Sequence, residues 1–404
     1  MSVRDVSRRA NDRDDEVGAD GAVARQGGQR PIEDGGGEMH QQGPERSQAA
    51  RGRRDPLYGS ELVRDMVLGE RQVGGPLAVF PLVADGNGGR HGRPSAGHSG
   101  GPYYVTLRRA LDDGSAQITE VDEGGSVQDL RVVNKGDARI LLLDGEELRG
   151  AKQNRVLSTT ILIEKRTSLV VPVSCIEQGR WAYASREFSV SDDVADRRVR
   201  HRMRASTQAA MVAGAAICSD QGEVWEEVRA LHGRQGTFSP SGAMSDSYDH
   251  KRSDLNDVVA AFPLVDGQRG VLVLHGSRLI GLDYVSRAPQ YAELHEKLLR
   301  SYAFEALVRG GEPGDRPVAE AFLQRVEGLL GHRFKSPGLG WDVRFEGNGV
   351  LGSALLYRGR AVHAAFFDVG GVLAEADADE QRPGGQPSWR IADARQRARQ
   401  RRRS

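Results

Sequence analysis

Three short strings constrain this chain more than anything else in it. "LLLDGEELRG" (residues 141–150), "LVLHGSRLIG" (272–281) and "LLYRGRAVHA" (355–364) share one plan. Each has an apolar run, an X-Gly pair, and an apolar residue three places after the glycine: Leu148, Leu279 and Val362. An X-Gly pair between apolar runs marks a tight hairpin, because the turn needs positive φ there. A chain that repeats such a unit is expected to build antiparallel sheet. Between residues 117 and 175 the runs "QITEV", "VQDLRVV", "ARILLLD", "RVLSTTILI" and "SLVVPVSC" agree. They are short, β-branched and punctuated by Gly, Asp and Lys, which suits hairpins better than βαβ units. "AVFPLV" (78–83) also returns as "AAFPLV" (260–265). An internal duplication is therefore expected, with halves near 76–190 and 258–309 and a C-terminal helix-hairpin at 317–373.

Helical spacing enters after residue 190. Ser191 reads as an N-cap with Asp192 and Asp193 in the first turn, and Ala195, Val199, Met203, Ala210 and Ile217 recur at helical spacing. "EVWEEVRALHG" is a second helix closed by Gly233, and "DLNDVVAAF", "YAELHEKLLRSYAFEALV" and "AEAFLQRVEGLL" are further ones. The predicted class is α+β: an antiparallel β-sheet core of repeated hairpins with several packed helices, folded over residues 57–373.

The ends differ from this middle. Residues 1–56 contain no Phe, Trp or Tyr, and are expected to be a disordered tail because they cannot bury enough apolar surface to offset ordering entropy. Residues 374–404, ending "RQRARQRRRS", are expected to be a disordered basic tail whose charge is solvated. The glycine-rich "ADGNGGRHGRPSAGHSGGP" (84–102) has neither P-loop nor dinucleotide spacing and reads as a flexible excursion. With 56 basic and 56 acidic residues, nothing in the overall charge favours nucleic acid or an anionic membrane. No apolar run approaches the roughly 20 residues of a bilayer span, and no secretory h-region stands at the start. Cys175 and Cys218 form no metal or redox motif, Cys175 reads as a core thiol, and the scattered histidines include no zinc-binding spacing. A cytoplasmic protein with no metal and no cofactor is expected.

The candidate site lies between two strands. Glu146 and Glu147 follow the Asp144-Gly145 turn and can be read as solvated, but "AKQNR" has no counterpart in the other two hairpin strings. Pairing across the turn "EKRT" would set Arg155 opposite Ile176 and Asn154 opposite Glu177, bringing "EQGRW" alongside "AKQNR". The expected ligand-binding residues are Lys152, Gln153, Asn154, Arg155, Gln178, Arg180 and Trp181. Cations suit phosphate, amides suit hydroxyls, and an indole suits a ring. Glu177 is the first candidate general base and Glu147 the second. Arg197, Arg200 and Arg204 form a stripe that reads as a solvated helix face, and "SPSGAMSDSYDHKRSD" (239–254) reads as a connection whose serines and aspartates serve as turns and caps, with lining the site as the alternative.

"LLLDGEELRGAKQNRVL", "VPVSCIEQGRW", "SPSGAMSDSYDHKRSDL", "GSRLIGLD" and "LLRSYAFEAL" together resemble the ADP-ribosylglycohydrolase- and rhodanese-phosphatase-superfamily-associated protein family (the ARPP family). The match covers most of residues 57–367. The resemblance implies a cytoplasmic domain tied by association to NAD and ADP-ribose metabolism, with no catalytic residues to carry over. Two functions stay open: a domain that binds, and in a further step processes, an ADP-ribose-like or other phosphorylated nucleotide metabolite, and a non-catalytic structural or protein-interaction module. No motif decides whether the chain is an enzyme.

Overall fold

Strand Leu77–Val83 shows how the core is divided. Leu77 and Val79 pack into one hydrophobic cluster, while Ala78, Phe80 and Leu82 pack into another. Successive strand residues point to opposite faces, so this sheet is covered on both sides. Helix Ala288–Val308 closes one side through Leu298 and Tyr302, and helix Arg316–Glu327 the other through Phe322 and Val326.

The computed structural model describes residues 57–64, 66–83, 102–122, 124 and 126–369. The two expected tails and nearly all of the glycine-rich excursion lie outside these residues. The described chain forms a ten-stranded, a six-stranded and a three-stranded sheet. In the ten-stranded sheet, Gln268–His275, Arg278–Val285, Arg360–Asp368 and Val350–Tyr357 are consecutive neighbours, all antiparallel. These are the second and third repeated strings, and both are hairpins. Gly276 takes φ +58, and Arg358 and Gly359 take φ +53 and +74. Among the described strands one pairing is parallel, Tyr104–Thr106 with Arg139–Leu142. The antiparallel α+β class stands.

The first repeated string behaves differently. Its turn forms, with Gly145 at φ +82, but its strands part into different sheets. Arg139–Leu142 joins Ile161–Ile163, whereas Glu146–Gly150 joins Phe188–Val194 and Arg155–Leu157. The turn is pinned inside the fold, since Gly145 N–H donates to Leu157 O and Gly145 O accepts from Ala195 N–H. A side chain at residue 145 would also meet Arg200 at 2.8 Å. "RVLSTTILI" is split between two sheets in the same way, and Arg155 faces Cys175 rather than Ile176.

Other local expectations yield to tertiary partners. The segment around Ser191 to Asp193 belongs to strand Phe188–Val194, and the helix starts at Arg197 with Asp196 as N-cap. Asp193 is fully buried beside arginines, which a solvated first turn would not provide. Helix Gln221–Gln235 runs past Gly233 and stops at Gly236, which takes the left-handed φ of +61. "FPLV" is strand at its first occurrence, but at its second it follows helix Arg252–Val259 as irregular chain. The stretch 239–254 holds the short helix Met244–His250.

Candidate functional site

The bend "RGAK" positions the predicted residues. Gly150 takes φ +127 and Ala151, with a Cβ, takes φ +39, so the chain leaves strand Glu146–Gly150 and re-enters as Arg155–Leu157. Such a non-glycine conformation persists only where its surroundings hold it. Arg180 does so: Nη1 donates to Ala151 O at 2.7 Å and to Ala182 O at 2.9 Å, and Nη2 reaches Gly150 O at 3.4 Å.

Glu177 completes this brace. Its oxygens accept from Arg180 Nε at 2.9 Å, Arg180 Nη2 at 2.6 Å, Asn154 N–H at 3.0 Å and Ser241 Oγ at 2.9 Å. Burial pushes its pKa up, but the hydrogen bonds from Arg180, Asn154 and Ser241 outweigh burial and hold the carboxyl below the usual glutamate value. Asn154 Oδ1 accepts from Arg180 at 3.2 Å, and its Nδ2 donates to Ser245 at 3.4 Å. Arg155 is fully buried, donating to Gln153 Oε1 at 2.9 Å and Ser126 O at 3.3 Å. Cys175 is buried, and burial, partly offset by Arg155, pushes its thiol up to about 11.

Outward from this network lie two exposed rings, Trp181 and Tyr183, 49% and 55% exposed. Lys152 Nζ sits 5.3 Å from the Trp181 ring centroid and 5.2 Å from that of Tyr183, and Arg155 lies 5.6 Å from Trp181. Such distances suit cation–π attraction. Lys152 Nζ also donates to Gly124 O at 2.5 Å. Seven predicted residues thus come together: Lys152, Gln153, Asn154, Arg155, Glu177, Arg180 and Trp181. Gln178 is exposed and outside the network.

Glu147 belongs to a neighbouring cluster, and the solvated reading of the paired glutamates fails. Glu146 and Glu147 are 1% and 0% exposed. Lys297 Nζ reaches Glu146 Oε1 at 2.5 Å, and Arg149 Nε reaches Glu147 Oε2 at 3.2 Å. Burial, partly offset by Arg149, pushes Glu147 up to about 7. Its Oε1 is buried with no hydrogen-bond partner among the described residues. Arg149 continues to Asp249 and Asp193, and Arg252 grips Asp193 with two bonds of 2.7 Å. Helix Met244–His250 links the clusters, carrying Ser245 to Asn154 and Asp249 to Arg149.

The stripe on the Arg197–Val212 helix is also buried, because each arginine meets a carboxylate. Arg197 pairs with Glu305, Arg200 with Asp283 in two bonds of 2.6 and 2.9 Å, and Arg204 with Asp144. Arg149, Asp193 and Arg252 form a unit that the sequence pattern does not single out. Their signal was weak: ionic residues next to hydrophobic ones on a strand and a short helix, readable as solvent-facing until the partners are known.

The family model of the ARG and Rhodanese-Phosphatase-superfamily-associated Protein domain matches residues 65–367. No curated protein and no solved structure matches the chain. Among the described residues no helix is long and apolar enough to cross a membrane, and no cluster of His, Cys, Asp and Glu could hold a metal ion.

Proposed function

The chain belongs to the ARG and Rhodanese-Phosphatase-superfamily-associated Protein family, and we propose that it is a cytoplasmic domain that binds an ADP-ribose-like or other phosphorylated nucleotide metabolite. One observation carries this reading. Two aromatic rings, each about half exposed, are backed by buried or nearly buried cations on a braced scaffold. A ring held in this way is a ready stacking surface for a base, with Lys152 close enough to meet a phosphate. Neither candidate general base offers a free carboxylate to the rings: Glu147, although pushed up to about 7, is fully buried in the neighbouring cluster, and a base must first be within reach of the proton it takes. Both oxygens of Glu177 are already occupied.

The test is thermal unfolding of the full chain with ADP-ribose, NAD and mononucleotides at millimolar concentration. A ligand well above its Kd should stabilise the fold by a few kcal/mol. Trp181→Ala should weaken binding by about 1–3 kcal/mol, the usual contribution of base–aromatic stacking. If no nucleotide shifts the transition, the reading fails.

The saturation of Glu177 and Arg180 favours a second reading, a non-catalytic module in which this block only braces the fold. Under it, Glu177→Gln lowers stability and no small molecule changes the transition of either protein.

A further inference from the structure

A cleft of about 780 Å³ lies away from the Trp181 face, between helices Arg252–Val259 and Ala288–Val308. Its volume falls in the range of small-molecule sites. None of the nine predicted site residues lines it. One part of its wall is apolar, formed by Val259, Phe262, Pro263 and Leu264. Another part carries Arg108, Arg252, Lys297 and Arg300, which converge on three consecutive residues of strand Phe188–Val194. Lys297 reaches Ser191 O at 3.4 Å, Arg108 reaches Asp192 at 2.6 Å, and Arg252 and Arg300 approach Asp193 at 2.7 and 3.8 Å.

The carboxylates facing these cations are of two kinds. Asp193 and Glu146 are buried, but Asp193 is shared among Arg149, Arg252 and Arg300. Asp192 and Glu296, which pair with Arg108 and Arg300, have side chains 71% and 74% exposed. Exposed pairs are screened and weakly held. Glu293, also on the wall, is engaged by Thr106. Arg300 is the under-served member. Its side chain is 9% exposed, its bond to Glu296 is long at 3.4 Å, and its buried Nε has no hydrogen-bond partner among the described residues. A guanidinium offers two parallel N–H donors suited to an oxyanion.

We propose that this cleft is a second ligand site, taking the phosphate group of a small organic phosphate. The phosphate sits against Arg300, Arg252, Lys297 and Arg108, and displaces the exposed carboxylates of Asp192 and Glu296. The non-phosphate part of the ligand lies along Phe262 to Leu264. The site is independent of the Trp181 face, and each can fail without the other.

The experiment titrates the full chain with inorganic pyrophosphate at constant ionic strength, by calorimetry. Pyrophosphate has no ring to stack, so at the Trp181 face only Lys152 is available to it, and Lys152→Gln should leave its binding unchanged. Saturable binding is expected. Arg108→Gln should weaken it and Asp192→Asn should strengthen it, each by about 1.5- to 5-fold, the range of a single exposed charge. Both side chains are exposed enough for the fold to survive the change. Arg300→Met should cost more, with circular dichroism checking that it folds. Three results overturn the proposal: no saturation, equal effects of Arg108→Gln and Asp192→Asn, or loss of binding in Trp181→Ala. Tighter binding of citrate than of pyrophosphate would also overturn it, by assigning the site to carboxylates.

Discussion

The Glu177–Arg180 brace and the Asp193 cluster are made of the same parts and finished differently. Glu177 receives four hydrogen bonds, and Arg180 spends its remaining donors on backbone carbonyls and Asn154. Asp193 is one buried carboxylate serving three arginines, and Arg300 is left with a buried donor unmet. A saturated ion pair fixes geometry and has nothing left to offer a ligand. An unsaturated one keeps hydrogen-bonding capacity that a ligand can fill. Position in a motif therefore says less about binding than the count of donors and acceptors still open.

The largest expected effect tests the saturated side. Arg180→Ala leaves Glu177 charged and buried and releases the strained Ala151 bend, so it should lose about 3–5 kcal/mol in urea unfolding. A loss below about 1 kcal/mol would mean the brace is ornamental and the contrast fails.

Next comes pH. Glu147 ordinarily titrates near 4.5 and is raised to about 7 when folded, so the native state binds the extra proton between these values. Stability from this group is therefore greatest at low pH and is lost as pH rises through that window, by up to about 3 kcal/mol. His201 acts oppositely. Burial and neighbouring arginines lower it from 6.5 to about 3, so folding binds fewer protons there and stability is lost as pH falls below 6.5. Glu147→Gln should remove the first slope and leave the second, as seen in unfolding free energies from pH 4.5 to 8.

Smaller effects sharpen the other half of the comparison. Arg252→Ala removes an arginine whose side chain is 31% exposed while Arg149 and Arg300 remain on Asp193, so it should destabilise by about 1 kcal/mol. If it matches Arg180→Ala, the Asp193 cluster is a brace as well. Gln178→Ala, outside both networks, should stay within about 0.5 kcal/mol of the parent.

Much of the fold was legible where local chemistry decides. Gly276 and Gly359 mark real hairpins because their turns need positive φ and nothing opposes them. Asp144-Gly145 carries the same signal and makes the same kind of turn, yet not a hairpin, because Arg204, Thr160 and neighbouring strand ends capture it. The two "FPLV" strings show the limit again: Phe80 lies within a strand of the ten-stranded sheet, whereas Phe262 follows a helix and packs against the opposite cluster. In the candidate site, the convergence of "AKQNR" and "EQGRW" could be read from strand proximity, although the register was displaced by one residue. Which of those residues would be consumed by internal bonds could not be read, since Ser241, Ser245 and Gly124 come from elsewhere in the chain.

By itself the sequence determined periodicity, turn chemistry and the antiparallel α+β class, because these follow from neighbours a few residues apart. Tertiary structure alone decided which charges are buried. Arg204 meets Asp144 across 60 residues, Arg200 meets Asp283 across 83, and Lys297 meets Glu146 across 151. These ionic side chains enter the interior because a partner arrives from a distant segment, and local pattern carries no record of that partner.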